Sequence, residues 1–123
     1  MILIGDENIA YENIVKITDV SDIENSQANS TLLFDYNIDL IKYCHNNSVK
    51  FSVVISNIKE LIYSSQFDTK YIISSKELSV EAQKIAENYM FDSKILAIIN
   101  SSEEIIWVAQ NEIDGAIYKK VLL

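Results

Sequence analysis

The residues of this chain that could do chemistry are few, and most of them follow short apolar runs. Asp6 and Glu7 come after Met1–Gly5, Asp35 closes Thr31–Asp35, Ser56 follows Phe51–Ile55, and Ser75 with Lys76 follows Tyr71–Ser74. Asn100 and Lys119 hold corresponding places further along. Carboxylates and hydroxyls offer hard oxygen ligands and hydrogen-bond partners to a polar ligand, and lysine adds a point charge. The single cysteine and single histidine, Cys44 and His45, are neighbours in sequence. On a helix adjacent side chains point about 100° apart, so they cannot meet on one substrate atom, and a Cys–His catalytic pair within one chain is excluded. Cys44 reads as a small buried hydrophobe beside Leu40 and Ile41, and His45 as a surface residue on a helix edge.

The elements that would position these residues are written in the hydrophobic pattern. From about residue 30 onward, β-rich runs alternate with segments of helical period, which is the pattern of βαβ units around a parallel sheet. Strands are predicted at Thr31–Asp35, Lys50–Ile55, Tyr71–Ser74, Lys94–Ile99 and Gly115–Lys119, and helices over about 37–47, 57–67, 77–91 and 102–112. Runs such as Ile95-Leu-Ala-Ile-Ile99 are nearly continuous in apolar residues, as expected of strands covered on both faces. Ligands of open sheets of this kind bind beyond the carboxyl ends of the strands, where the polar residues above fall. Met1–Gly5 and Ile14–Ile17 also read as strands, but the eight residues between them are too few for a parallel crossover. Ile14–Ile17 is therefore expected either to pair antiparallel or to lie outside the sheet.

Helix starts carry a repeated signature: Ser21-x-x-Glu24, Asn57-x-x-Glu60 and Ser101-x-x-Glu104 each place a capping side chain three residues before a glutamate. The helices then show apolar stripes, Ile58/Leu61/Ile62/Ser65, Ala82/Ile85/Ala86/Tyr89 and Ile105/Val108/Ala109, expected to face the core. Tyr43, Tyr63 and Trp107 fall about 160° away from these stripes, each two positions after a core residue. They are expected either to fill seams between neighbouring helices or to form an exposed contact surface. Lys50–Gln66 laid over Lys94–Gln110 shows an internal echo, and strand starts recur every twenty residues or so.

Composition sets the outer bounds. A chain of 123 residues with 49% hydrophobic content and no linker reads as one domain, 1–123, able to bury its own core. There is no proline and only two glycines, so turns must be made by Asn, Asp and Ser. The net charge is −8 and every basic residue is lysine, mostly scattered singly, which argues against nucleic acid and anionic membranes as partners. Without arginine there is no planar fork for phosphate. One cysteine allows neither an intrachain disulfide nor a cysteine-based zinc site. No run approaches the length of a signal peptide or a membrane span, so the expected compartment is the cytoplasm.

Two resemblances add to this reading. Met1-Ile-Leu-Ile-Gly-Asp-Glu-Asn8 resembles the opening of a response-regulator receiver domain, Leu32-Leu-Phe-Asp35 its third strand, Val53-Val-Ile-Ser56 its fourth and Tyr71-Ile-Ile73 its fifth. The likeness covers about residues 1–76. It implies a flavodoxin-like fold and an acid pocket in which Asp6, Glu7 and Asp35 hold magnesium, with Ser56 and Lys76 close by. The family's helix after the first strand and its proline loops are missing here. Asp114-Gly-Ala-Ile117, after an amphipathic helix, is similar to late strands of (βα)-barrel enzymes, and the βα period is that of half such a barrel.

The expected fold is thus a three-layer α/β domain of βα repeats with a mostly parallel sheet of five to seven strands, flavodoxin-like or half-barrel. The expected function is a non-catalytic regulatory or protein-interaction module, working through a protein partner or self-association. A small metal-dependent enzyme or receiver-like phospho-acceptor using strand-end carboxylates is the alternative. No motif calls for a cofactor, and magnesium enters only through the receiver resemblance.

Overall fold

The computed structural model of the chain describes residues 1–24 and 29–123. Seven strands, β1 (Ile2–Ile4), β2 (Ile14–Lys16), β3 (Thr31–Asp35), β4 (Phe51–Val54), β5 (Tyr71–Ser74), β6 (Lys94–Ile99) and β7 (Gly115–Tyr118), form one wholly parallel sheet in the order β1-β7-β6-β5-β4-β3-β2. From β2 to β7 each strand lies beside its successor in sequence, and β1 is added beyond β7. That is the cyclic order of a singly wound (βα) barrel opened between β1 and β2. The sheet is curled into a half-barrel, the second of the two expected forms.

Helices α1 (Val20–Glu24), α2 (Ile38–Asn46), α3 (Ile58–Ser64), α4 (Lys76–Asn88) and α5 (Glu104–Gln110) connect the strands. Alternation along each strand sends one set of side chains to each face. On the outer face Leu32, Phe34, Phe51, Val53, Ile72, Ile95 and Ala97 join Leu40, Ile41 and Cys44 of α2, Leu61 of α3, Ala82 and Ala86 of α4 and Val108 of α5 in one cluster. The inner face carries Ile4, Leu33, Tyr71, Ile73, Leu96 and Ile117, a second cluster drawn from β1, β3, β5, β6 and β7. Among the described residues no long helix covers that inner face. It is covered by a thin third layer, the 3-10 helix Lys119–Leu122, whose Val121 and Leu122 pack on the inner cluster, and by the segment running from β1 to β2.

The β1–β2 segment explains why the second strand departs from expectation. β2 pairs parallel with β3, at the sheet edge opposite β1. Since β1 and β2 are not neighbours, no crossover between them is needed; residues 5–13 instead span the open side. Asp6 at one end of this segment meets Tyr118 of β7, and Glu12 at the other meets Thr31 of β3 and Tyr71 of β5. Both glycines serve close approaches. Gly5 has φ +96, and a Cβ there would lie 2.7 Å from Val121 Cγ2; a Cβ on Gly115 would overlap the carbonyl oxygen of Ile2, breaking the fit of β1 on β7.

Three local expectations are corrected. Helix α1 starts at Val20, before Ser21; Asp19 Oδ1 accepts the Ser21 amide and Asp22 Oδ2 the Thr18 amide, so aspartates cap it. Ser101 does not cap α5, although Glu104 reaches back to the amides of Asn100 and Ser101. Tyr89 is 73% exposed because α4 ends at Asn88, and Ala109 is exposed as well; Ser79 and Gln83 take up the inward positions of α4. Asn57 caps α3 as expected, accepting the Glu60 amide at 2.9 Å.

Candidate functional site

At the C-terminal rim of the sheet, Asp6 and Glu7 share a cleft of about 280 Å³ with Gly5, Asn8, Asn100, Ser102, Tyr118 and Lys120. Asp6 is 8% exposed; its Oδ2 accepts the Tyr118 hydroxyl at 2.6 Å and its Oδ1 the Asn8 amide at 2.8 Å. The Tyr118 bond above all, then the Asn8 amide, holds the Asp6 carboxyl below the usual carboxylate range, and the same bond pushes the Tyr118 phenol up to about 12. Glu7 is exposed. Asp35 stands at the end of β3, exposed, with Oδ1 3.7 Å from Lys16 Nζ. Along the sheet four other strands lie between β1, which Asp6 and Glu7 follow, and β3, which Asp35 closes. Among the described residues no three His, Cys, Asp or Glu side chains converge as a metal would need.

Ser56 is exposed, and its amide donates to Glu60 Oε1 at 2.8 Å. Lys76 Nζ lies 2.7 Å from Glu104 Oε1 and 5.4 Å from the centre of the Trp107 ring. Glu104 is held down to about 2, first by Lys76 and then by the Asn100 amide. Trp107 is half-buried against the helix-side core; Tyr43 is half-buried, and Tyr63 is 46% exposed with Lys59 over its ring. The three aromatics sit on α2, α3 and α5. Cys44 is wholly buried, which pushes its thiol up to about 11, and His45 Nδ1 faces Asp68 at 3.4 Å.

The opposite end of the half-barrel is built differently. Its N-terminal mouth holds a cavity of about 460 Å³ lined by Ile2, Lys50, Asp68, Thr69, Lys70, Tyr71, Asp92 and Lys94. Lys50 immediately precedes β4, Lys70 immediately precedes β5, and Lys94 opens β6. Neighbouring strands lie about 4.8 Å apart, and the register sets Lys50 level with Thr69 and Lys94 level with Tyr71, with Lys70 stepped one residue between them. Tyr71 pairs in register with Lys94 and belongs to the inner cluster, so both side chains face the concave side. Glu12 reaches in from the β1–β2 segment: its carboxylate accepts Lys70 Nζ at 2.6 Å, Thr31 Oγ1 at 2.5 Å and the Tyr71 hydroxyl. Burial works to raise the Glu12 pKa, but these three donors outweigh it and leave the group below its ordinary value. Burial first, then the hydrogen bond to Glu12, raises the Tyr71 phenol.

No protein-family model and no curated protein matches this chain.

Glu12 and the three strand-start lysines do not stand out in the sequence. Glu12 lies in a stretch with no periodicity, and its partners are 19, 58 and 59 residues away. The lysines, taken singly, look scattered. Their signal is that each stands at or immediately before the start of one of three successive strands, β4, β5 and β6.

Proposed function

We propose that this domain is a non-catalytic binding module whose recognition surface is the N-terminal mouth of the half-barrel. One observation carries the reading: a concavity in the size range of ligand pockets gathers three lysines and a buried tyrosine from neighbouring strands in a chain of net charge −8. The acids elsewhere support a binding role over acid–base chemistry. Asp6, Glu12 and Glu104 are all held below their ordinary values, whereas a general acid or base works best with a pKa moved toward neutrality. The buried Cys44 thiol, shifted upward, is a poor nucleophile.

Phospho-acceptor or magnesium chemistry on Asp6, Glu7 and Asp35 draws less support, because the strand order sets Asp35 apart from the other two. No helix among the described residues is long and apolar enough to cross a membrane, and a cytoplasmic setting fits the single thiol. The test is amide NMR mapping of the whole chain against a fragment mixture containing neutral, cationic and anionic small molecules. Shifts should gather on Ile2, Lys50, Thr69, Tyr71 and Lys94. Hits gathered instead on Asp6, Asn100, Tyr118 and Lys120 would move the site to the other rim, and an absence of localised hits would leave the mouth as packing alone.

A further inference from the structure

We infer that the N-terminal mouth takes an amphiphilic anion, an apolar chain or ring ending in a carboxylate or phosphate; the inference rests on the binding-module reading above and names the ligand class of that same site. The cavity offers two kinds of contact side by side. Ile2 and the Tyr71 ring supply apolar surface, and Lys50 and Lys94 bring ammonium groups from the strands on either side of β5.

The charges divide unequally among the three lysines. Lys70 is neutralised by Glu12 at 2.6 Å and lies over the Tyr71 ring at 5.3 Å, so it belongs to the floor. Lys50 and Lys94 are exposed, and among the described residues neither has an ion-pair partner. Two acids also line the cavity. Asp68 faces His45 at 3.4 Å, and Asp92 lies in the turn two residues before Lys94. They temper the field, so the attraction is local to the two free ammonium groups and does not extend over the surface as a general basic patch would. A nucleic acid, which needs such a patch, does not fit this arrangement. The Tyr71 hydroxyl is already donated to Glu12, and Thr69 Oγ1 donates to the Ser64 carbonyl, so an incoming anion relies on the lysines.

The probes are octanoate and octyl phosphate for the anion, octanol for the apolar part alone and octylammonium for the opposite charge, each titrated into the 123-residue chain by calorimetry with amide NMR mapping. Octanoate and octyl phosphate should both bind at the mouth at least tenfold tighter than octanol, octylammonium should bind weaker than octanol, and raising the salt from 20 mM to 500 mM should weaken only the anions, with the tenfold difference corresponding to ~1.4 kcal/mol. Octyl phosphate binding while octanoate does not would narrow the head group to phosphate. Lys50→Gln/Lys94→Gln, two exposed changes, should remove the preference for anions and leave octanol binding as it was. Octanol equalling octanoate at the mouth, or the double variant keeping the preference, would overturn the anion class and leave the binding-module reading standing. Shifts from every probe that map away from the mouth would overturn both.

Discussion

Glu12→Gln keeps the volume of the side chain and removes its charge, which isolates what the carboxylate does at the mouth. The group accepts hydrogen bonds from Thr31, Lys70 and Tyr71, and its side chain is 29% exposed. Bonds to a charged acceptor contribute ~1.5–3 kcal/mol and neutral ones ~1 kcal/mol, so each hydroxyl loses ~1 kcal/mol when the acceptor becomes an amide. The Lys70 side chain is 40% exposed, so water already screens that pair, and its loss is set at ~0.5 kcal/mol. The variant should therefore be ~2.5 kcal/mol less stable at pH 7, a fall in Tm of ~8–12 °C for a domain of this size. The pH dependence has a definite sign. Because the folded pKa of Glu12 lies below its ordinary 4.5, its contribution is complete above the unfolded value and disappears as the pH falls through the folded one. Wild type and variant should converge on going from pH 7 to about pH 3. Urea unfolding followed by fluorescence of Trp107, the single tryptophan, gives both quantities. A difference below ~0.5 kcal/mol at pH 7, or one that stays constant down to pH 3, would refute the picture of a charged staple.

Other consequences can be checked on the same protein. Met90, just past the Tyr89 cap of α4, has φ +52 and 85% of its surface exposed, so Met90→Gly should relieve backbone strain at no packing cost and raise stability by ~0.5–1 kcal/mol in urea. Gly115→Ala puts a methyl group against the Ile2 carbonyl and should cost ~3 kcal/mol, with amide protection lost first in β1. Cys44, buried and with its thiol raised to about 11, should react with a disulfide reagent only at the rate of unfolding; prompt labelling of the folded chain would contradict its burial.

The central units were legible because their code is local. Continuous apolar runs gave β3 to β7 and the 3.6-residue period gave α2 to α5, each within a few residues of where it lies. What the sequence hid was long-range geometry. Whether β1 sits beside β2, β3 or β7 is not written in either strand, because three-residue strands such as Ile2–Ile4 pair equally well with several partners; the pairing is fixed by Gly115, whose missing side chain admits Ile2. The same uncertainty governs the acids. Asp6 and Glu7 follow β1 and Asp35 closes β3, strands that the receiver resemblance makes neighbours, whereas β1 adjoins β7. Ser21 and Tyr89 were misplaced for a smaller reason, helix ends shifted by a residue or two from where the pattern put them.

The strand order also says how the molecule comes apart. Of the six ladders among the described residues, five join strands consecutive in sequence, and only β1 on β7 joins residues as distant as Ile2 and Gly115. A nascent chain can therefore zip β2 through β7 one unit at a time, each step closing a short loop, whereas docking β1 must close nearly the whole polypeptide. β1 is then the last strand to arrive and the first to leave. Whenever it detaches, the edge of β7 is bared beside the inner cluster, and the most readily reached opening of this fold is also the one that exposes its barrel interior to water.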